Sequence, residues 1–115
     1  MKDFMMIFLG EDYGDLGLSP EQIQERMKKW MAWNDKMESM GIIQGGEALH
    51  PEVTRISGKD RVIADGPFVE SKELVGGYYV IKVESKEKAL EIAQDFPDFD
   101  LGSSVEVREV MVFDM

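Results

Sequence analysis

The sequence contains no cysteine and a single histidine, His50. The first absence excludes disulfides, thiolate zinc sites and cysteine nucleophiles. The second leaves one imidazole for proton transfer or coordination. No partner ligand stands at metal-binding spacing, so no metal site is expected. Long apolar runs are also missing. The first one, "FMMIFL", spans only six residues, against the roughly 18 that a membrane helix needs. It is followed by acidic residues and reads as a first strand rather than a signal peptide. Positive charge is scarce too: 13 Lys+Arg face 23 Asp+Glu, a net charge of -10. That field repels a nucleic-acid backbone. The densest basic cluster, Arg26, Lys28 and Lys29, is interleaved with Glu21 and Glu25 and reads as a solvated helix face. Neither nucleic acid nor a membrane is expected as a partner, and a cytoplasmic setting is. No phosphate-binding glycine loop, HExxH, GxSxG or Rossmann fingerprint occurs, and no cofactor is expected.

What is present describes one globular domain over residues 1–115, with 43% hydrophobic and 31% charged residues. "FMMIFL" is apolar without alternation, as a strand buried on both faces would be. Helix punctuation follows the glycine-rich loop "GEDYGDLGL". Ser19 is an N-cap, Pro20 fits the first helical position, Gln22 completes a capping box, and Gly41 ends the helix. Ile23, Met27, Trp30, Met31, Asn34 and Met37 form the expected core stripe, with Trp33 at its edge. "IIQGGEAL" reads as a strand, and Gly45-Gly46 within it marks a bulge or a close backbone approach. "VTRIS" and "RVIAD" flank a glycine turn as a hairpin, with Arg55 and Arg61 expected across from one another. "GYYVIKV" is a further strand, with Tyr79 and Ile81 on one side and Tyr78, Val80 and Val83 on the other. A second helix runs from the Ser85 N-cap through Ala89, Leu90, Ile92 and Ala93 to before Pro97. The last strand is expected over Val105 to Phe113.

The order is β-α-β, hairpin, β-α-β. This predicts an α+β, ferredoxin-like fold: an antiparallel sheet with two helices on one face. Two helices cover one sheet face only, yet several strands are apolar on both. A bare second face exceeds the apolar patch that soluble monomers carry. A homodimer packed sheet against sheet is therefore expected, of the dimeric α+β barrel type.

The stretch "DGPFVESKELVGGYYVIKV" resembles the signature of the YCII-related proteins, DGPF branch. "GGEAL", "KALEIAQDFP" and "VEVREV" agree in order and spacing, so the resemblance covers nearly the whole chain. It implies a ferredoxin-like fold that dimerises through its sheet, and it implies no settled reaction. Shorter YCII-like members carry a His-Asp pair with the histidine on the first helix. Here Trp30 stands at about that point, which argues against a histidine-based mechanism.

Candidate site residues fall into two groups. Asp65, before Gly66-Pro67, suits a turn on local chemistry alone. If this corner instead lines a cleft, Asp65 or Glu70 is the candidate general base, and Lys72 the candidate anchor for an anionic group. The second group would bind ligand. Trp30, Trp33 and Tyr13 are expected to wall an apolar cavity between helix and sheet, with Glu47 as a polar floor and His50 as a nearby titratable group. Two functions stay open: an enzyme or binder acting on a small organic ligand near the dimer interface, and a non-catalytic dimeric interaction module.

Overall fold

The computed structural model describes residues 1–66 and 73–114. In chain order it has β1 (Lys2–Leu9), α1 (Pro20–Ser39), β2 (Ile43–Ala48), β3 (Thr54–Ser57), β4 (Val62–Asp65), β5 (Val75–Val83), α2 (Lys86–Ala93) and β6 (Ser104–Glu109), with a 3-10 turn at Phe99–Leu101. The main sheet is antiparallel in the order β2-β5-β1-β6, and β3 and β4 form a separate two-stranded ribbon. Two βα units whose outer strands flank a central β5-β1 pair make the ferredoxin-like arrangement, with the ribbon inserted between β2 and β5. Among the described residues, no helix is long and apolar enough to cross a membrane.

Local chemistry explains the helix ends. Ser19 accepts a hydrogen bond from the Gln22 backbone N–H at 3.1 Å, while the Gln22 side chain accepts from Ser19 N–H at 2.8 Å. This satisfies two of the donors that a helix start leaves open. Gly41, at φ 69°, takes the left-handed conformation that lets the chain leave α1. Ser85 caps α2 in the same manner as Ser19, accepting from Lys88 N–H.

The core lies between the helices and one sheet face. Phe4, Met6, Met37 and Ile81 are fully buried, each contributing on the order of 1.5–3 kcal/mol of transfer free energy. Alternation in β1 sends Phe4, Met6 and Phe8 into this core and Met5, Ile7 and Leu9 to the opposite face, where they stay half-buried. The expectation of a first strand buried on both faces therefore fails within a single chain, because no second layer covers that side. Val83 is also corrected: it points with Ile81 into the core, as a period of two requires.

Four further expectations change. The core stripe of α1 runs through Ile23, Arg26, Trp30, Trp33 and Met37, with Trp33 4% exposed, while Met27 and Met31 stand out from it. The strand phase ends at Glu109. Val110 N–H makes a last bond to Asp3, and Met111, Val112 and Phe113 continue outside any strand, Val112 being 88% exposed. In the ribbon Arg55 pairs with Ala64, whereas Arg61 occupies the turn at φ 54°, so the two arginines do not face one another. Leu90, placed in the core by its spacing, is exposed on α2.

Candidate functional site

A cavity of about 600 Å³ opens between the middle of α1, from Met27 to Asp35, and the β2-β5 end of the sheet. Backbone geometry makes room for it. The β2-β5 register shifts between Ile43 and Gly45, and the β1-β5 register shifts between Phe8 and Leu9. Gly46 lies against the Tyr79 ring, where a β-carbon would stand 2.5 Å from Cδ1 and 2.6 Å from the Tyr78 carbonyl oxygen. The paired glycines thus produce both the bulge and the close approach that their position implied. Tyr79 lies in the space left by Gly46 and donates a hydrogen bond to Asn34 on α1 at 2.9 Å.

The inner wall is aromatic. Phe8 stacks on Phe96 at 5.4 Å and meets Trp30 edge-on at 5.0 Å, and Trp30 meets Phe96 at 5.5 Å. Such pairs add about 0.5–1.5 kcal/mol each beyond their buried area. Trp33 closes the cluster from below, with its indole N–H donating to the Ile92 carbonyl at 3.3 Å.

One polar group stands inside this wall. Asp98, 6% exposed, accepts from the Tyr13 hydroxyl at 2.7 Å and from the Trp30 indole N–H at 3.2 Å, both through Oδ2. The Trp30 N–H also reaches the Tyr13 oxygen at 3.0 Å. Asp98 Oδ1 makes no hydrogen bond among the described residues and stands 3.5 Å from Arg26. Arg26 itself grips Asp100 through two 2.6 Å bonds and donates to the Pro97 carbonyl at 3.1 Å. The basic residue read as part of a solvated face is therefore an internal clamp, joining α1 to the loop after α2. Burial first, then the hydrogen bond to Asp98 and its charge, push the Tyr13 phenol well above its ordinary range, so it stays neutral. The hydrogen bond from Arg26 holds the Asp100 carboxyl down at about 2.

The expected site residues separate on this geometry. Trp30, Tyr13 and Glu47 line the cavity, while Trp33 lies behind its wall. His50 is exposed and is absent from the lining, although Leu49 and Pro51 on either side belong to it. Asp65 is exposed at the end of β4, where its carboxylate accepts from the Thr54 hydroxyl at 2.8 Å. Next to it, Gly66 N–H bonds the Val53 carbonyl at 2.7 Å. Those bonds fit the corner role that its turn chemistry allowed. Glu70 and Lys72 lie outside the described residues. Asp98 was missed. Its signal was Arg26 at a core-stripe position, because an arginine there requires an acidic partner, and "DFPDFD" supplies it. Among the described residues no group of three or more His, Cys, Asp or Glu side chains is placed to hold a metal ion.

The chain is 35% identical over 60 residues to "Uncharacterized protein R00369" of Rhizobium meliloti (strain 1021), an alignment covering 51% of this chain. The chain spans about half of that relative's length, 48%. Among solved structures it is similar to 5-chloro-2-hydroxyhydroquinone dehydrochlorinase (TftG) from Burkholderia phenoliruptrix AC1100, in complex with 2,5-dihydroxybenzoquinone. That similarity has a TM-score of 0.48 and 16% identity, over 94% of this chain and 93% of the other. The model of the YCII-related domain matches residues 4–114, and with the βαβ-hairpin-βαβ order in place the chain belongs to the YCII-related domain family.

Proposed function

We propose that this protein binds a small organic ligand in the cavity between α1 and the sheet. The observation that carries this reading is a concave volume of about 600 Å³ with an aromatic wall and a single buried carboxylate inside it. Small-molecule sites are typically about 300–1,000 Å³, mostly apolar, with a few placed polar groups. The polar chemistry available at the inner wall is that of Tyr13 and Asp98. Asp65 enters only through the corner it stabilises, and His50 stands outside the lining.

The same reading includes a homodimer through the uncovered sheet face. That face presents Met5, Ile7, Tyr78 and Val80, rimmed by the Asp3–Lys82 ion pair at 3.3 Å. Ile56, Ile63 and the Met111–Phe113 segment add further exposed apolar side chains, Ile63 at 69%. An unpaired chain would leave all of these in water. Tyr78 also lines the cavity, so a partner on this face would sit beside its mouth. Light scattering at micromolar concentration is expected to give twice the 13.1 kDa chain mass, and a monomer mass removes the dimer from the reading.

Ligand binding is tested by thermal shift against small cyclic and aromatic compounds, using the wild type and Met31→Trp. Met31 lines the cavity and is 62% exposed, so a larger ring there occupies the mouth without repacking the core. Compounds that raise the wild-type midpoint are expected to lose their effect in the variant, whose own midpoint stays close to wild type. A shift that survives the substitution places the ligand elsewhere. Should no compound shift the protein while a specific protein partner is captured, the dimeric interaction module takes its place.

A further inference from the structure

The β3-β4 ribbon stands apart from the core. Every residue of both its strands is exposed, and the ladder between them is its only sheet pairing among the described residues. A two-stranded ribbon by itself is marginally stable in water, and a third strand or a covering layer makes it persist. Ile56 and Ile63 are direct cross-strand partners, so both side chains lie on one face of the ribbon. They are 65% and 69% exposed.

A second apolar element is also uncovered. Met111, Val112 and Phe113 follow β6 outside any strand and are exposed, although β-branched and aromatic residues favour strands. Register places the two elements at diagonal corners of the sheet. Its edges are β2 and β6. β2 ends at Ala48, level with Gly77, Phe8 and Val105, whereas β6 ends at Glu109, level with Phe4. Those ends are about 14 Å apart across the sheet and about 13 Å along it. Ribbon and segment therefore leave one chain from opposite corners.

A second copy removes that separation. Two copies packed face to face about a two-fold axis, with strands crossing at about 90°, adopt one of the two ordinary sheet packings. This sets the β2-end corner of each copy over the β6-end corner of the other. Both contacts form at once, as a two-fold interface requires. Charge agrees with this pairing. Chains of net charge -10 repel one another, but the ribbon has the opposite sign. From Thr54 to Ile63 it carries Arg55, Lys59 and Arg61 against Asp60 alone, while the apolar segment is followed by Asp114.

We infer that the β3-β4 ribbon is an arm that docks on a second copy of this chain and takes that copy's Met111–Phe113 segment as a third strand. Main-chain hydrogen bonds join the segment to a ribbon edge, and Ile56 and Ile63 are buried against its side chains. This rests on the reading of the protein as a homodimer and adds to it the segments that meet.

The chain has no cysteine, so introduced cysteines report the contact. Ile63→Cys and Val112→Cys, both at exposed positions, are made as separate proteins, mixed, left to exchange subunits and treated with a short bismaleimide. The mixture is expected to crosslink to twice the chain mass at about ten times the yield of Leu90→Cys mixed with Val112→Cys, Leu90 being exposed on α2. Equal yields overturn the arm, as does a crosslink within one chain of the variant carrying both Ile63→Cys and Val112→Cys. Two further variants test its strength: Ile63→Lys, and Met111→Pro with Val112→Pro in one chain, which removes a main-chain donor from either side of the segment. Light scattering on dilution is expected to show each dimer weakened about tenfold, with the circular dichroism of the fold retained. Unchanged dissociation in both overturns the arm and leaves a dimer held by its sheet face. A wild type that scatters as a monomer throughout overturns arm and dimer together.

Discussion

Two faces of α1 do opposite things with the rest of the molecule. On one, Trp33 and Met37 are buried with Phe8, Ile92 and their neighbours. On the other, Met27 and Met31 border the cavity and are 48% and 62% exposed. Helix propensity does not distinguish them, since one capped helix carries both. The difference comes from what each face meets. Large core side chains pack on the first, whereas Gly10, Gly46, Gly76 and Gly77 are among the residues that border the cavity under the second. Asp98, Tyr13 and Trp30 then fix the inner wall with hydrogen bonds. A packed core and an open cavity thus share one helix.

Substitutions on the two faces sharpen that contrast. The largest effect is expected for Trp33→Ala, at about 3–5 kcal/mol of destabilisation. Met31→Ala, one helical face away, is expected to stay within about 0.5 kcal/mol. Denaturant unfolding of the pair measures both, and equal losses would erase the distinction between the faces. Tyr13→Phe keeps the ring but leaves Asp98 Oδ2 with the indole alone, an expected cost of about 1–3 kcal/mol. A neutral outcome by the same measurement would mean that the hydrogen-bonded wall contributes nothing to stability.

The smallest effect depends on pH. Asp100 is held at about 2 by its hydrogen bonds from Arg26, below its ordinary value of 3.8. A depressed carboxyl stabilises the folded state above its unfolded pKa, and that contribution is lost as pH falls through the folded one. The wild-type melting midpoint is therefore expected to drop between pH 4 and pH 2 more steeply than that of Asp100→Asn. Asp100 is exposed, so the difference is small. Parallel profiles would show that the clamp adds no stability.

Much of the fold was legible because its signals are local. Ser19, Pro20, Gln22 and Gly41 delimit α1 through the needs of its own backbone, and Gly45-Gly46 marks a strand irregularity that any sheet would show. The phase of the stripe was less legible. Methionines at 27 and 31 look like core by hydrophobicity, whereas Arg26 looks like surface. Their roles exchange because Asp98 and Asp100, more than 70 residues away in sequence, neutralise the arginine. Similarly, "VMVF" carries strand propensity, but β6 ends at Glu109 and Met111–Phe113 lie outside any strand.

The sequence by itself determined the element order, the helix ends and the ferredoxin-like βαβ-hairpin-βαβ plan. These follow from periodicity, capping and turn chemistry, which act over a few residues. Only the tertiary structure decided that Asp98 is buried in the inner wall of the cavity beside Arg26, and that Asp65 and His50 stand outside the lining. Burial and charge balance are set by residues brought together from distant parts of the chain, and no local pattern encodes that meeting.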